Sequence, residues 1–175
     1  MIGRGAAVLA GALLLSGCVS DGVGTDYAAV SQRFGPPKPG HSRIVVLQEK
    51  RKGLSMAICA CDVKLDGEPI GKVIVGSYAF ADRPAGRHQL IASELMFPGD
   101  TTHSFATEAG RTYFFLIRSS ERHDSVAGVS MVGGLVGGFV ASAATANAAN
   151  PGPADFFALD EAAARTTLAD LQLVQ

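Results

Sequence analysis

Val63-Lys64-Leu65-Asp66-Gly67-Glu68-Pro69-Ile70-Gly71-Lys72-Val73 is the stretch that decides the fold class. Asp-Gly between two apolar-rich runs is a strong hairpin signal, because both residues tolerate the positive φ that a two-residue turn demands. Upstream, residues 56–65 alternate as one long strand, with Ala57, Cys59, Cys61, Val63 and Leu65 on one face. Arg43-Ile44-Val45-Val46-Leu47 is a continuous β-branched run, and Lys50-Arg51-Lys52-Gly53 a charged turn. Gly76-Ser77-Tyr78-Ala79-Phe80 reads as a short strand, and Pro84-Ala85-Gly86 turns the chain into residues 87–95. There His88, Leu90 and Ala92 alternate with Gln89, Ile91 and Ser93. Residues 101–107 and 112–118 are two more strands, joined by Glu108-Ala109-Gly110-Arg111.

Six or seven short strands, with a turn every eight to twelve residues, predict a mainly β chain folded as a small antiparallel β-sandwich of six to eight strands. Tyr113-Phe114-Phe115-Leu116-Ile117 is apolar on both faces, so this strand must be central and covered on both sides. One cover is the second sheet. The other is the C-terminal segment, where Phe156-Phe157-Ala158-Leu159 reads as a strand and Asp160 caps a short helix from Glu161 to about Leu171. The sandwich is placed at residues 43–122, a glycine-rich apolar insert at 123–154, and the completing strand and helix at 155–175.

The N-terminus carries a different signal. Arg4 and an uncharged, apolar run from Gly5 to Leu15 have the layout of a secretory leader, too short to span a membrane. Leu15-Ser16-Gly17-Cys18 resembles the lipobox of bacterial lipoproteins, in which the Cys thiolate takes the diacylglyceryl group and becomes the first mature residue. The competing reading makes Cys18 a small buried hydrophobe. Residues 1–17 are thus expected to be a lipoprotein signal peptide. Residues 18–42 would be the lipidated terminus, tether and Pro-rich linker, the last being Gly35-Pro36-Pro37-Lys38-Pro39-Gly40. Two or three acyl chains give stable anchoring, so the membrane is the first expected partner. Val19 follows Cys18 where an Asp would retain many lipoproteins in the inner membrane. The expected address is therefore the periplasmic face of the outer membrane, with the inner membrane as alternative.

Several pieces together resemble a group of uncharacterised bacterial lipoproteins whose domain of unknown function looks like the PEGA-type β-sandwich. They are the hairpin from Val63 to Gly71, then Gly76-Ser77-Tyr78, Pro84-Ala85-Gly86-Arg87-His88 and Glu108-Ala109-Gly110-Arg111-Thr112-Tyr113. The terminal strand and helix look similar too. The resemblance implies a fold and an envelope address, and no activity. The insert departs from it.

No charged residue occurs from Ser125 to Ala154. On a helix, Gly133, Gly134, Gly137, Gly138, Ala141, Ser142 and Thr145 share one half, and Val132, Leu135, Val136, Phe139 and Val140 the other. The small residues spaced by four resemble a glycine zipper, which lets backbones approach closely. Three readings compete. A transmembrane helix has the length, but seven Val, Leu or Phe residues supply only a marginal insertion gain, roughly −2 to −4 kcal/mol. A loop avoids the helical cost of four Gly, about 4 kcal/mol. A packed helix over about residues 128–146 would dock its Val/Leu/Phe half on apolar surface. Its small half, Gly133, Gly134, Gly137, Gly138 and Ser142, would then be free for helix packing with a second copy.

Little else points to chemistry. Fifteen Lys and Arg against sixteen Asp and Glu leave no basic stripe, so nucleic acid is not an expected partner. His41, His88, His103 and His123 have no ligand spacing, and no Ser or Cys sits in a nucleophile motif, so no metal, cofactor or catalytic residue is assigned. Cys59 and Cys61 share a strand face, but Cα atoms two apart lie roughly 6.6 Å from each other, near the upper limit for a bridge. They read as two small core residues, with a redox role as the other option. The expectation is a non-catalytic envelope binding or structural module, partnered by its own copies or another envelope protein. The alternative is a periplasmic hydrolase or redox protein.

Overall fold

The computed structural model describes residues 27–50, 59–145 and 147–174. The leader, the lipobox with Cys18, the tether to Asp26, the turn after Lys50 and the first part of the long strand lie outside the described residues.

Nine strands form two sheets among the described residues. They are β1 (His41–Gln48), β2 (Cys61–Leu65), β3 (Glu68–Val73), β4 (Ser77–Pro84), β5 (Gly86–Glu94), β6 (Phe97–Thr107), β7 (Thr112–Ser119), β8 (Ala154–Leu159) and the two-residue β9 (Gln172–Leu173). Three helices accompany them: α1 (Tyr27–Phe34), α2 (Glu121–Ala144) and α3 (Glu161–Leu168). The larger sheet runs β8-β7-β1-β4-β9 and the smaller β3-β2-β5-β6. This is the sandwich the alternation predicts, with one addition. In the larger sheet β1 pairs parallel with β7, and β4 with β9.

The β2–β3 turn has the predicted chemistry: Asp66 and Gly67 take φ of 55° and 84°, the paired positive values that a type I′ turn needs. Period-two alternation then sorts the side chains. From the larger sheet Ile44, Val46, Ala79, Phe115, Ile117 and Phe156 face inward. From the smaller, Cys61, Val63, Leu65, Val73, Leu90 and Ala92 meet them, and together they form the main core. The opposite face of the larger sheet carries Val45, Leu47, Tyr78, Phe114 and Leu116, packed under Tyr27 and Val30 of α1 and Ala164 and Leu168 of α3. β7 therefore lies inside its sheet with both faces covered, as its sequence requires. Asp160 caps α3 by accepting from Ala163 N at 2.8 Å.

Cys59 and Cys61 correct the sequence reading. They form a disulfide, with Cα atoms 5.3 Å apart and both residues fully buried. The chain at Cys59 and Ala60 is not in a strand, which begins only at Cys61. Without full extension the two Cα atoms come within bridging range.

Candidate functional site

The segment after β7 is where the structure departs most from expectation. Ser120 caps α2, its Oγ accepting from His123 N at 3.1 Å, and Glu121 and Asp124 put negative charge on the first turn. The helix so begins seven residues before the predicted start. It is not continuous. Gly134 has φ 60° and ψ −157°, a backbone state open essentially to Gly alone. There the chain reverses and a second arm, residues 135–144, returns along the first, residues 121–133.

The small residues make that return possible. A Cβ on Gly137 would stand 3.1 Å from the Val129 carbonyl oxygen, and one on Gly138 would collide with Ser130 Oγ. Gly138 and Ser142 are buried between the arms. The zipper thus closes on its own chain, and the predicted orientation is inverted. Gly137, Gly138 and Ser142 face the first arm, while the Val/Leu/Phe half points outward. Gly133 and Gly134 sit at the tip with open space around them.

Arg122 holds the base of this hairpin. Its side chain is buried and its guanidinium spans both arms and the body. Nε donates to Thr145 O at 3.1 Å and Oγ1 at 3.0 Å. Nη2 donates to Ser142 O and Oγ, each at 3.1 Å, and Nη1 to Pro98 O at 2.8 Å and to Pro151 O. The plane lies over the Phe97 ring at 4.6 Å. Among the described residues no carboxylate pairs with it, and burial pushes its pKa below the ordinary value. Four oxygens of Ser142 and the Thr145 cap and the backbone carbonyls of Pro98 and Pro151 are therefore organised by one side chain that periodicity does not single out. The signal that could have placed the helix start is the Ser120 cap followed by acidic residues.

Beyond the base the hairpin stands largely clear of the sandwich among the described residues. Residues 131–136 are all exposed in succession, Val132 at 94% and Leu135 at 76%, and Phe139 and Val140 are exposed on the return. Next to it, the β5–β6 turn exposes Leu95 and Met96 at 80% each. Met96 is held at φ 65°, a strained choice for a bulky residue in a turn where Gly or Asn is favoured. Met96, Phe97, Leu135 and Phe139 line one groove of about 220 Å³ between the turn and the helix. The two protrusions make one apolar surface at one end of the molecule.

A second polar cluster ties that end to the disulfide. His123 Nε2 lies 2.8 Å from Glu94 Oε2, and Glu94 Oε1 accepts from the amide of Ala60, between the two cysteines, at 3.3 Å. Burial raises the Glu94 pKa, but the His123 hydrogen bond, the Ala60 amide and the charges of His123 and Lys72 outweigh it, so the net value falls below 4.5. The unfolded chain then binds more protons at acid pH than the folded one. This contribution to stability is complete above about pH 4.5 and is lost as pH falls through the folded value. Urea midpoints measured across pH 3–7 are expected to drop on the acid side, and Glu94→Gln is expected to flatten that drop at a cost of about 1–2 kcal/mol at neutral pH.

The third cluster is an open depression of about 590 Å³ lined by Asp66, Arg87, His88, Gln89, Ser104, Phe105 and Ala106. His88 Nδ1 is 2.7 Å from Asp66 Oδ2, while His88 Nε2 is 2.9 Å from the Pro84 carbonyl. Burial raises the Asp66 pKa, but the Gln89 amide, His88 and Arg83 lower it by more, to a net decrease. Both ring nitrogens are thus engaged within the fold, one by the Asp66 carboxylate and one by the Pro84 carbonyl. Among the described residues no hydrogen bond joins Ser104 to His88. The pair clamps the β2–β3 turn onto the start of β5. His103 lies elsewhere, against Phe105, Phe115 and Phe156, and His41 faces Pro39 O. Among the described residues no three metal-ligating side chains converge.

Residues 38–134, more than half of the chain, match a family model described as "Protein of unknown function (DUF2846)". The match ends at the Gly134 reversal. No curated protein matches the chain.

Proposed function

The chain belongs to the DUF2846 family, and from that premise we propose that it is a lipid-anchored envelope protein, a non-catalytic binding or structural module tethered through Cys18 to the periplasmic face of the outer membrane. The observation that carries this reading is Leu15-Ser16-Gly17-Cys18 behind an apolar leader, nine residues ahead of Tyr27, the first residue of α1. The likeness to lipoproteins with a PEGA-type sandwich supports it as well. The hydrogen bonds of His88 and Glu94 favour positioning roles over proton transfer, which supports a module over a hydrolase. Self-association through the small residues would have to compete with their contacts inside the chain, where Gly137 and Gly138 already meet Val129 and Ser130.

Cys18→Ala is expected to abolish labelling by an alkyne fatty acid and to leave a leader-bearing precursor. Labelling that persists in this variant would sink the proposal. Sucrose-gradient separation of the two membranes, read by immunoblot, decides between outer and inner address.

A further inference from the structure

Among the described residues the α2 hairpin is the most exposed apolar feature, and its surroundings point to one occupant. We propose that its tip, residues 131–136 with Phe139 and Val140, and the neighbouring Leu95 and Met96 insert into the bilayer, as a second membrane attachment beside the lipid. The inference rests on the envelope reading for the presence of a membrane, and on the structure for its position.

Three observations carry it. First, the exposure has no single side. A face kept for a protein partner is one stripe, whereas here six successive residues are open and apolar or glycine, a pattern suited to immersion. Each arm is helical and pairs its own backbone along its length, while the reversal at Gly134 leaves the last carbonyls of one arm and the first amides of the other outside the helical ladder, a cost that burial of the apolar tip must offset. From Ser125 to Ala154 no charged side chain must be desolvated.

Second, the length fits one leaflet. As a straight helix the 24 residues of α2 would measure about 36 Å and could cross a membrane. Folded back, the uncharged part of the longer arm, residues 125–133, reaches about 14 Å, close to one leaflet of a hydrocarbon core about 30 Å thick.

Third, the N-terminus leaves at the same end. β1 and β7 are parallel, so both finish where α2 begins. α1 starts at Tyr27 beside Tyr78, which registers with Leu47 near the finish of β1. It ends with Phe34 against Phe80, and Arg43 donates to the Gly35 carbonyl at the opposite end. The nine residues from Cys18 to Asp26 reach at most about 30 Å. A lipid at Cys18 therefore places the membrane within reach of the end that carries the hairpin. Leu95 and Met96 stand beside the helix in that position, where a strained, exposed Met in a turn otherwise gains nothing.

The chain has no Trp, so a single introduced Trp reports one place. Val132→Trp and Glu108→Trp are made in the full chain; both sites are exposed, and Glu108 lies in the β6–β7 turn at the far end. Each protein is reconstituted in phosphatidylethanolamine–phosphatidylglycerol vesicles containing lipids brominated on the acyl chain, and the floated fraction is read. Trp at 132 is expected to emit in the blue and be quenched, while Trp at 108 stays red and unquenched. Adding Leu135→Asp is expected to weaken the quenched population by at least about tenfold. Red, unquenched emission from position 132 overturns insertion, as does failure to float. Blue emission that brominated lipid does not quench also overturns it and assigns the surface to a second copy. Cys18 labelling with an alkyne fatty acid is read on the same sample. Lost quenching with intact labelling therefore removes the insertion alone, and quenching without labelling removes the anchor alone.

Discussion

Arg122→Met is expected to lower the unfolding free energy by about 2–3 kcal/mol, the range for losing hydrogen bonds made by a charged group. The Met side chain keeps much of the volume over Phe97 but donates nothing. The carbonyls of Pro98, Ser142, Thr145 and Pro151 then lose their shared donor. The loss should be local as well as global. Arg122 joins both arms of α2 to β6 and to the segment before β8, so hydrogen exchange should accelerate at residues 135–145 before it does in β7. Urea denaturation with amide exchange by mass spectrometry measures both. A change under about 1 kcal/mol would mean that the guanidinium is dispensable at the base.

Gly152→Ala is expected to cost on the order of 3 kcal/mol, at the upper end for overpacking, because what a methyl meets there is backbone. A Cβ at Gly152 would fall onto Thr101 N and Oγ1 and the Asp100 carbonyl carbon. The surrounding bonds leave little room to yield. Thr101 Oγ1 donates to Ala154 O at 2.5 Å, Ser120 Oγ to Gly152 O at 2.7 Å, and Gly152 N to Asn150 Oδ1 at 3.0 Å. These bonds bring the chain back from the hairpin and start β8 in register with β7. The far-UV spectrum should survive while the thermal midpoint falls. An unchanged midpoint would show that the loop has freedom to move aside.

The sandwich was legible because its signals are local. Asp66-Gly67 states its own turn, and the alternation through Val63 and Leu65, or His88, Leu90 and Ala92, states which side is inward. The apolar character of Tyr113–Ile117 on both faces announced two covers, and α3 is one of them. Pairing partners were not legible. Nothing in Arg43-Ile44-Val45-Val46-Leu47 tells a parallel neighbour from an antiparallel one, since that is set by how the chain returns and not by periodicity.

The hairpin was half legible, and the half that failed is instructive. Sorting by size around a helical wheel found the right residues, and Gly137, Gly138 and Ser142 do pack against a helix. A wheel assumes a straight axis, however, and four glycines offer four equal places to bend it. Only the backbone at Gly134 shows which was used. Once the chain folds back there, the small half must turn inward and the large half outward, the reverse of the expectation. Arg122 was invisible for a related reason, because its partners are carbonyls from three separate segments. Cys59 and Cys61 were misjudged because an ideal strand was extended two residues too far.

The account turns on that reversal, and one distance decides it. Spin labels at Ser125→Cys and Ala143→Cys, in a Cys18→Ala background, sit at exposed positions about level with each other across the two arms. Packed arms bring their axes to about 8–10 Å, so pulsed electron–electron resonance should return a short distance dominated by the labels themselves. A straight helix would separate the same 18 steps by about 27 Å. The hairpin predicts the short distance in solution and on vesicles alike. A distribution centred near the long value would contradict the fold-back, and with it the outward apolar surface on which membrane insertion is argued.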